Sequence, residues 1–317
     1  MKLETGPPIC LNFMLDKPKT WNEEFTRLYN YSTAVPFNKS LNLHILVDFE
    51  DEENQQNLIS AGQTMPIFTQ HFMRRICAPI ILERLGNLHF MSHVPVFCGV
   101  GSFLMEHTFP VLEEIVLEIY KPKNFDSTFH LYQDALRRFR ISSRNYPTLT
   151  MLHLIGMFDT GFMGRNYADT RSKFPWNQIT KIALEEWVCR GPEDMCYVLS
   201  LCPNLQHCRI RYTGLDSAVE DNPQISMCET RPILLPNLQL LHVDLTHEGD
   251  LLPLFHTLST PILNTLIIKT SPRQEVGACP MPALQALKDS SGGLTRLRVL
   301  TTMKFNWSTI SNLARAM

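Results

Sequence analysis

Five residues between positions 189 and 208 carry the densest metal-ligating chemistry in the chain: Cys189, Cys196, Cys202, His207 and Cys208. Thiolates and imidazoles hold zinc when four of them converge, and structural zinc sites usually show cysteines in closely spaced pairs. No C-x-x-C occurs here. Cys208 falls within an alternating apolar run and Cys202 precedes Pro203, both places that bury a small apolar side chain. The reading is therefore buried thiols, with no metal and no cofactor expected. Gly99-Val100-Gly101-Ser102 has the beginning of a phosphate-cradling loop, but the third glycine and a following Lys-Ser/Thr are missing. The G-x-S-x-G elbow and the H-E-x-x-H helix are absent. No catalytic residue is nominated, and the chain reads as non-enzymatic. The enzymatic alternative is an α/β fold that assembles distant residues in one deep pocket.

Other charges and imidazoles recur at alternate positions of short apolar runs. Neighbours on a strand point to opposite faces. If Leu241 and Val243 face a core, His242 and Asp244 face outward. The same offset turns out Glu114 and Glu118 in one run and His153 in the next. It turns out Lys181 and Glu185, then His207, Arg209 and Arg211, then Lys269, and last Arg296 and Arg298. These side chains can make ion pairs and hydrogen bonds to a protein partner. The row runs from acidic (Glu114, Glu118) to basic (Arg209, Arg211, Lys269, Arg296, Arg298). A partner of mixed charge is expected, with its acidic part toward the C-terminal repeats.

The elements that must position these residues share one frame, L-x-x-L-x-L with any aliphatic at the end. Its anchors are Leu85, Leu112, Leu149, Ile179, Leu205, Leu238, Leu263 and Leu294. They recur at a spacing of about 30 residues, the range of leucine-rich repeats. Pro110, Pro147, Pro203, Pro236 and Pro261 each stand two residues before an anchor, which suits a strand entered from a loop. Helix-like stretches lie between frames, among them 127–138, 193–201, 250–258 and 282–288. One such unit cannot bury its apolar face alone, so the units must stack. The expected fold class is α/β: a leucine-rich-repeat solenoid of about eight irregular repeats, with a parallel sheet on the concave side and helices on the convex side. The outward residues named above would then line the concave, protein-binding face. The competing architecture is a doubly wound α/β domain.

The chain has 317 residues, is 44% hydrophobic and carries a formal net charge of −2, which advertises neither nucleic acid nor a membrane surface. Residues 1–35, broken by Pro7-Pro8 and Pro18, read as an N-terminal segment, a linker or remnant; residues 36–317 read as the solenoid. Leu41, Leu43, Ile45 and Val47 alternate as an edge strand. Residues 64–84 read as a helix interrupted at Pro79, with Met65, Phe68, Phe72, Ile76 and Ile80 on one face. Loops are expected at 121–126, 159–173 and 213–231. No run has signal-peptide or membrane-spanning length. Nine cysteines without a framework spacing suggest a reducing compartment, cytoplasmic or nuclear.

Certain segments carry a resemblance. Phe174-Pro175-Trp176-Asn177-Gln178-Ile179-Thr180 leads into one frame, and Leu199-Ser200-Leu201-Cys202-Pro203-Asn204-Leu205 into the next. Leu235-Pro236-Asn237-Leu238 and Leu258-Ser259-Thr260-Pro261-Ile262-Leu263 follow in register. Over roughly residues 36–317 the chain resembles the leucine-rich-repeat region of F-box proteins expanded in mushroom-forming fungi. The resemblance implies the substrate-recognition part of a cullin–RING ubiquitin ligase subunit, with the repeats holding the substrate. It implies docking on the ligase adaptor only where an F-box is present, and no F-box-like helix opens this sequence. A repeat scaffold or regulator without a ubiquitin role is the alternative.

Overall fold

The computed structural model describes residues 4–15, 17–48, 64–120, 143–156, 175–187, 192–212, 232–245, 251–270, 281–291 and 298–301. The chain divides into two compact units, Met1–Pro175 and Trp176–Met317.

In the first unit, strands β1 (Glu4–Met14), β2 (Lys39–Asp48), β3 (Leu85–His93), β4 (Glu114–Tyr120) and β5 (Met151–Gly156) lie side by side in chain order. Every neighbouring pair is parallel. Parallel neighbours need crossovers. Helix α1 (Pro18–Ala34) supplies the first. Helices α2 (Thr64–Ile76) and α3 (Pro79–Leu82) lie in the second, and α4 (Val94–Val100) and α5 (Ser102–Glu106) in the third. Trp21, Phe25, Leu28 and Ser32 are the buried stripe of α1, at helical spacing. Phe68, Phe72 and Ile76 are the buried face of α2. Past the break at Pro79 the phase shifts, and Ile81 rather than Ile80 is buried. Aromatic rings fill this core in a chain of contacts: Phe13–Phe72 at 6.0 Å, Phe72–Phe103 at 5.5 Å, Phe103–Phe109 at 6.1 Å and Phe109–Tyr146 at 5.1 Å between centroids.

Residues 1–35, expected to be a linker or remnant, hold β1 and α1, and β1 pairs along nearly the whole of β2. Pro7 and Pro8 do not prevent this, because β1 is an edge strand and the register shifts between Thr5 and Pro8. This segment is part of the first unit, which runs to Pro175.

In the second unit, β6 (Lys181–Trp187), β7 (His207–Tyr212), β9 (Leu240–Leu245), β11 (Thr265–Thr270) and β12 (Arg298–Thr301) pair in that order, again all parallel. Short strands β8 (Ile233–Leu234) and β10 (Leu258–Ser259) form a separate pair. Helices α6 (Pro192–Leu201), α7 (Leu251–Thr257) and α8 (Met281–Ser290) pack α6 on α7 and α7 on α8. The fold is thus α/β with parallel strands and intervening helices.

The same local device opens six strands. The anchor N–H donates to the carbonyl three residues earlier: Leu112 to Phe109, Leu149 to Tyr146, Ile179 to Trp176, Leu205 to Cys202, Leu238 to Leu235 and Leu263 to Thr260. In five of them proline is the second residue of the four-residue turn, where its fixed φ is pre-set. The prolines therefore make a turn rather than begin the strand. Each turn starts on a buried residue and closes on a buried anchor. The frame positions that follow are buried as expected, including Ile115, Leu117, Leu152, Leu154, Cys208, Ile210, Leu241, Val243, Leu266 and Ile268. Leu294 lies outside the described residues.

The turns also bond from rung to rung. The Glu113 carbonyl accepts from Thr150 and Met151, Thr180 from Gln206 and His207, Gln206 from Gln239 and Leu240, and Gln239 from Asn264 and Thr265. One carbonyl thus satisfies two donors of the next strand, leaving few backbone groups orphaned.

Candidate functional site

The outward side of the first unit's sheet carries its chemistry in rows set by register. Asn42, Asn87, Glu114 and Met151 align in one row, and Cys10, His44, His89, Val116 and His153 in the next. Met91, Glu118 and Ile155 form a third, and Asp48, His93 and Tyr120 cross the end of the sheet. A depression of about 320 Å³ opens on the first two rows, lined by Asn42, His44, Asn87, His89, Glu114 and His153, with Val116 and Ile155 as its apolar wall. The His44 and His89 rings meet edge to face at 5.2 Å. Burial, then the neighbouring His89, hold the His44 imidazole below its ordinary pKa, and Glu114 opposes them.

Beside this depression the polar groups are paired. His89 Nε2 lies 3.2 Å from Glu118 Oε2, and the Tyr120 hydroxyl donates to Glu118 Oε1 at 2.6 Å. His93 Nε2 lies 2.8 Å from Asp48 Oδ1. Among the described residues the Glu114 carboxylate makes no hydrogen bond or ion pair, although it lines the same face.

On the second unit's sheet, Arg209, His242 and Ile267 share a row, as do Arg211, Asp244 and Lys269. Arg209 Nη1 lies 3.1 Å from Glu185 Oε1, and Arg211 Nη1 lies 3.5 Å from Glu185 Oε2. Arg211 Nε donates to Asp244 Oδ2 at 3.2 Å. His242 stands among these charges and is only 8% exposed, with its Nε2 buried and without a hydrogen-bond partner among the described residues. Burial lowers the His242 pKa first, and Arg209 and Lys269 lower it further.

The outward offset thus places Glu114, Glu118 and His153 together in the first unit. In the second it brings Glu185, Arg209, Arg211, His242, Asp244 and Lys269 together. His207 is half-buried, while Lys181 on β6 and Arg298 on β12 stand exposed; Arg296 lies outside the described residues. His242, expected to be a solvated position, is buried between Arg209 on β7 and Ile267 on β11. At Arg209 and Arg211 the basic end of the row is not a free positive surface, since Glu185 and Asp244 compensate these two arginines. Formal charge along the sequence does not reveal this pairing.

Asn42, His44, Asn87 and His89 were not among the residues nominated from the sequence. The signal was there, because the alternation at 41–47 and the frame at Leu85 give them by the same offset. The cysteine cluster is divided. Cys202 and Cys208 are buried in the core, where burial pushes the Cys202 thiol up to about 12 and raises Cys208 further, while His207 stands on the opposite side of β7. Cys196 Sγ lies 3.0 Å from Thr257 Oγ1, and Cys189 lies outside the described residues. Gly101 joins α4 to α5: its N–H donates to the Phe97 carbonyl at 2.7 Å, and a Cβ there would stand 2.7 Å from that same oxygen. Close packing explains this glycine.

Among the described residues, no helix is long and apolar enough to cross a membrane. No family model matches the chain, and no curated protein matches it.

Proposed function

We propose that the chain is a non-enzymatic protein-interaction module, a leucine-rich-repeat solenoid that holds a partner protein on the outward face of its sheet. The observation that carries this reading is the repeated turn, with a buried anchor and a carbonyl shared by the next rung. A unit repeated this regularly presents a ladder of outward side chains at fixed spacing, which is how repeat proteins build extended binding surfaces. The outward rows are half-exposed imidazoles, amides and carboxylates rather than an enclosed catalytic constellation, a composition that favours recognition over chemistry. The resemblance to fungal F-box repeats makes the substrate-recognition part of a cullin–RING ubiquitin ligase the specific role. Cytoplasm or nucleus is the compartment that role requires.

The test is affinity purification of the full chain from lysate with mass spectrometry, beside the face variant Glu114→Lys and the helix variant Gln285→Lys. A partner retained by the helix variant and lost from the face variant is expected. Ligase adaptor and cullin recovered by all three proteins are expected for the ligase role, and their absence with the partner present would leave a repeat scaffold without a ubiquitin role. Identical recovery by the face and helix variants would contradict recognition by this face.

A further inference from the structure

We propose that the depression on the first unit's sheet face receives the side chain of an arginine presented by a partner peptide. The inference rests on the reading of this face as a protein-binding surface and gives it a specific occupant. Size is the first argument. At about 320 Å³ the depression lies at the small end of ligand pockets, suited to one long side chain. Its lining is the second. Glu114 offers a carboxylate that is unpaired among the described residues, and Asn42 and Asn87 offer amide oxygens beside it on the same row. Among the described residues no lysine or arginine lines the depression, so an anionic guest would meet Glu114 without a counter-charge from them.

Shape decides between the two cationic side chains. A guanidinium is planar and presents several donors in a fixed fork, which matches one carboxylate and two amides on adjacent strands. Its methylene stem needs an apolar surface, and Val116 and Ile155 provide it. Its flat face stacks on rings, and the His44 and His89 imidazoles stand within the same lining. An ammonium is a compact point charge without the planar fork, so it matches the carboxylate and the two amides less well. Glu118 is engaged by His89 and Tyr120, so it contributes field rather than a contact.

The experiment is selection of a random heptapeptide display library on the immobilised full-length chain, in parallel with Glu114→Gln. That variant changes no side-chain shape, and its thermal melt should match wild type. The selected peptide is then measured by fluorescence anisotropy beside analogues with lysine or citrulline in place of arginine, and N-acetyl-arginine amide is run as competitor. Expected are one fixed arginine in the enriched peptides and a loss of about tenfold or more with citrulline, with lysine or on Glu114→Gln. N-acetyl-arginine amide should compete only far more weakly than the peptide. Peptides enriched without arginine, or bound equally by Glu114→Gln, would overturn the arginine assignment while leaving protein recognition standing. N-acetyl-arginine amide binding as tightly as the peptide would overturn the peptide as the source. No enrichment on wild type would remove both readings.

Discussion

The Arg84 guanidinium donates through Nη1 to the carbonyl oxygen of Ser32 at 2.7 Å. Its Nη2 reaches the carbonyls of Val35 at 2.7 Å, Pro36 at 2.8 Å and Lys39 at 3.3 Å, and the guanidinium lies over the Phe37 ring at 4.8 Å. A buried cation thus neutralises the carbonyl end of α1 and fixes the turn into β2. Removing it leaves several buried carbonyls without donors. Arg84→Ala is expected to lower stability by about 3–5 kcal/mol in denaturant unfolding, and Arg84→Lys should recover less than half of that because one ammonium cannot reach the same carbonyls.

Leu241 and His242 are adjacent on β9 and both are buried, but for different reasons. Leu241 fills the core, so Leu241→Ala should cost about 2–5 kcal/mol through the cavity it leaves. His242 points to the outward side, where its Nε2 lacks a partner among the described residues and cations stand nearby. His242→Leu should therefore change stability by less than about 1 kcal/mol, and in the stabilising direction. The two unfolding midpoints, measured side by side, check this difference.

Acid should weaken the fold through His44 and His242. Both have folded pKa values held below 6.5, mainly by burial, so the unfolded chain takes up the proton first. Above 6.5 both groups are neutral in either state and cost nothing. Stability therefore falls as pH drops below that value and levels off once the folded pKa values are passed. The unfolding midpoint should drop between about pH 7.5 and pH 5.5, and the double variant His44→Gln/His242→Gln should show a smaller drop. Equal drops in both proteins would show that His44 and His242 do not carry the effect.

Gly156 ends β5 with φ +92°, and a Cβ there would stand 2.1 Å from the Ile119 carbonyl oxygen. Gly156→Ala should cost at least about 2 kcal/mol, combining left-handed backbone strain with that clash. Thermal unfolding of this variant beside Gly101→Ala compares the strained position with one at φ −61°, where only the close approach to Phe97 opposes a methyl group.

The apolar half of the fold was legible because strand periodicity is a strong local signal. Leu241, Val243, Ile115 and Leu117 face inward as the alternation requires. The prolines were legible as markers but not as turns, because the bond from each anchor to the residue three before it appears only in three dimensions. Strand β1 was hidden by Pro7 and Pro8, although Leu11 and Phe13 alternate just beyond them and both are fully buried. The candidate site was legible as a set of outward residues and not as an arrangement. Pairing of Arg211 with Asp244, burial of His242, and the isolation of Glu114 from the His89–Glu118 pair depend on register between strands about 30 residues apart, beyond local pattern.

The most direct measurement of the central claim, recognition through the outward sheet face, is site-specific photo-crosslinking in cells. A photoreactive amino acid is placed at Val116, on that face, and in a separate protein at Gln285, exposed on α8. A discrete protein adduct from position 116, competed away by the Glu114→Lys chain's wild-type parent but not by Glu114→Lys itself, is the expected result. Adducts of equal yield from both positions, or from position 285 alone, would contradict it.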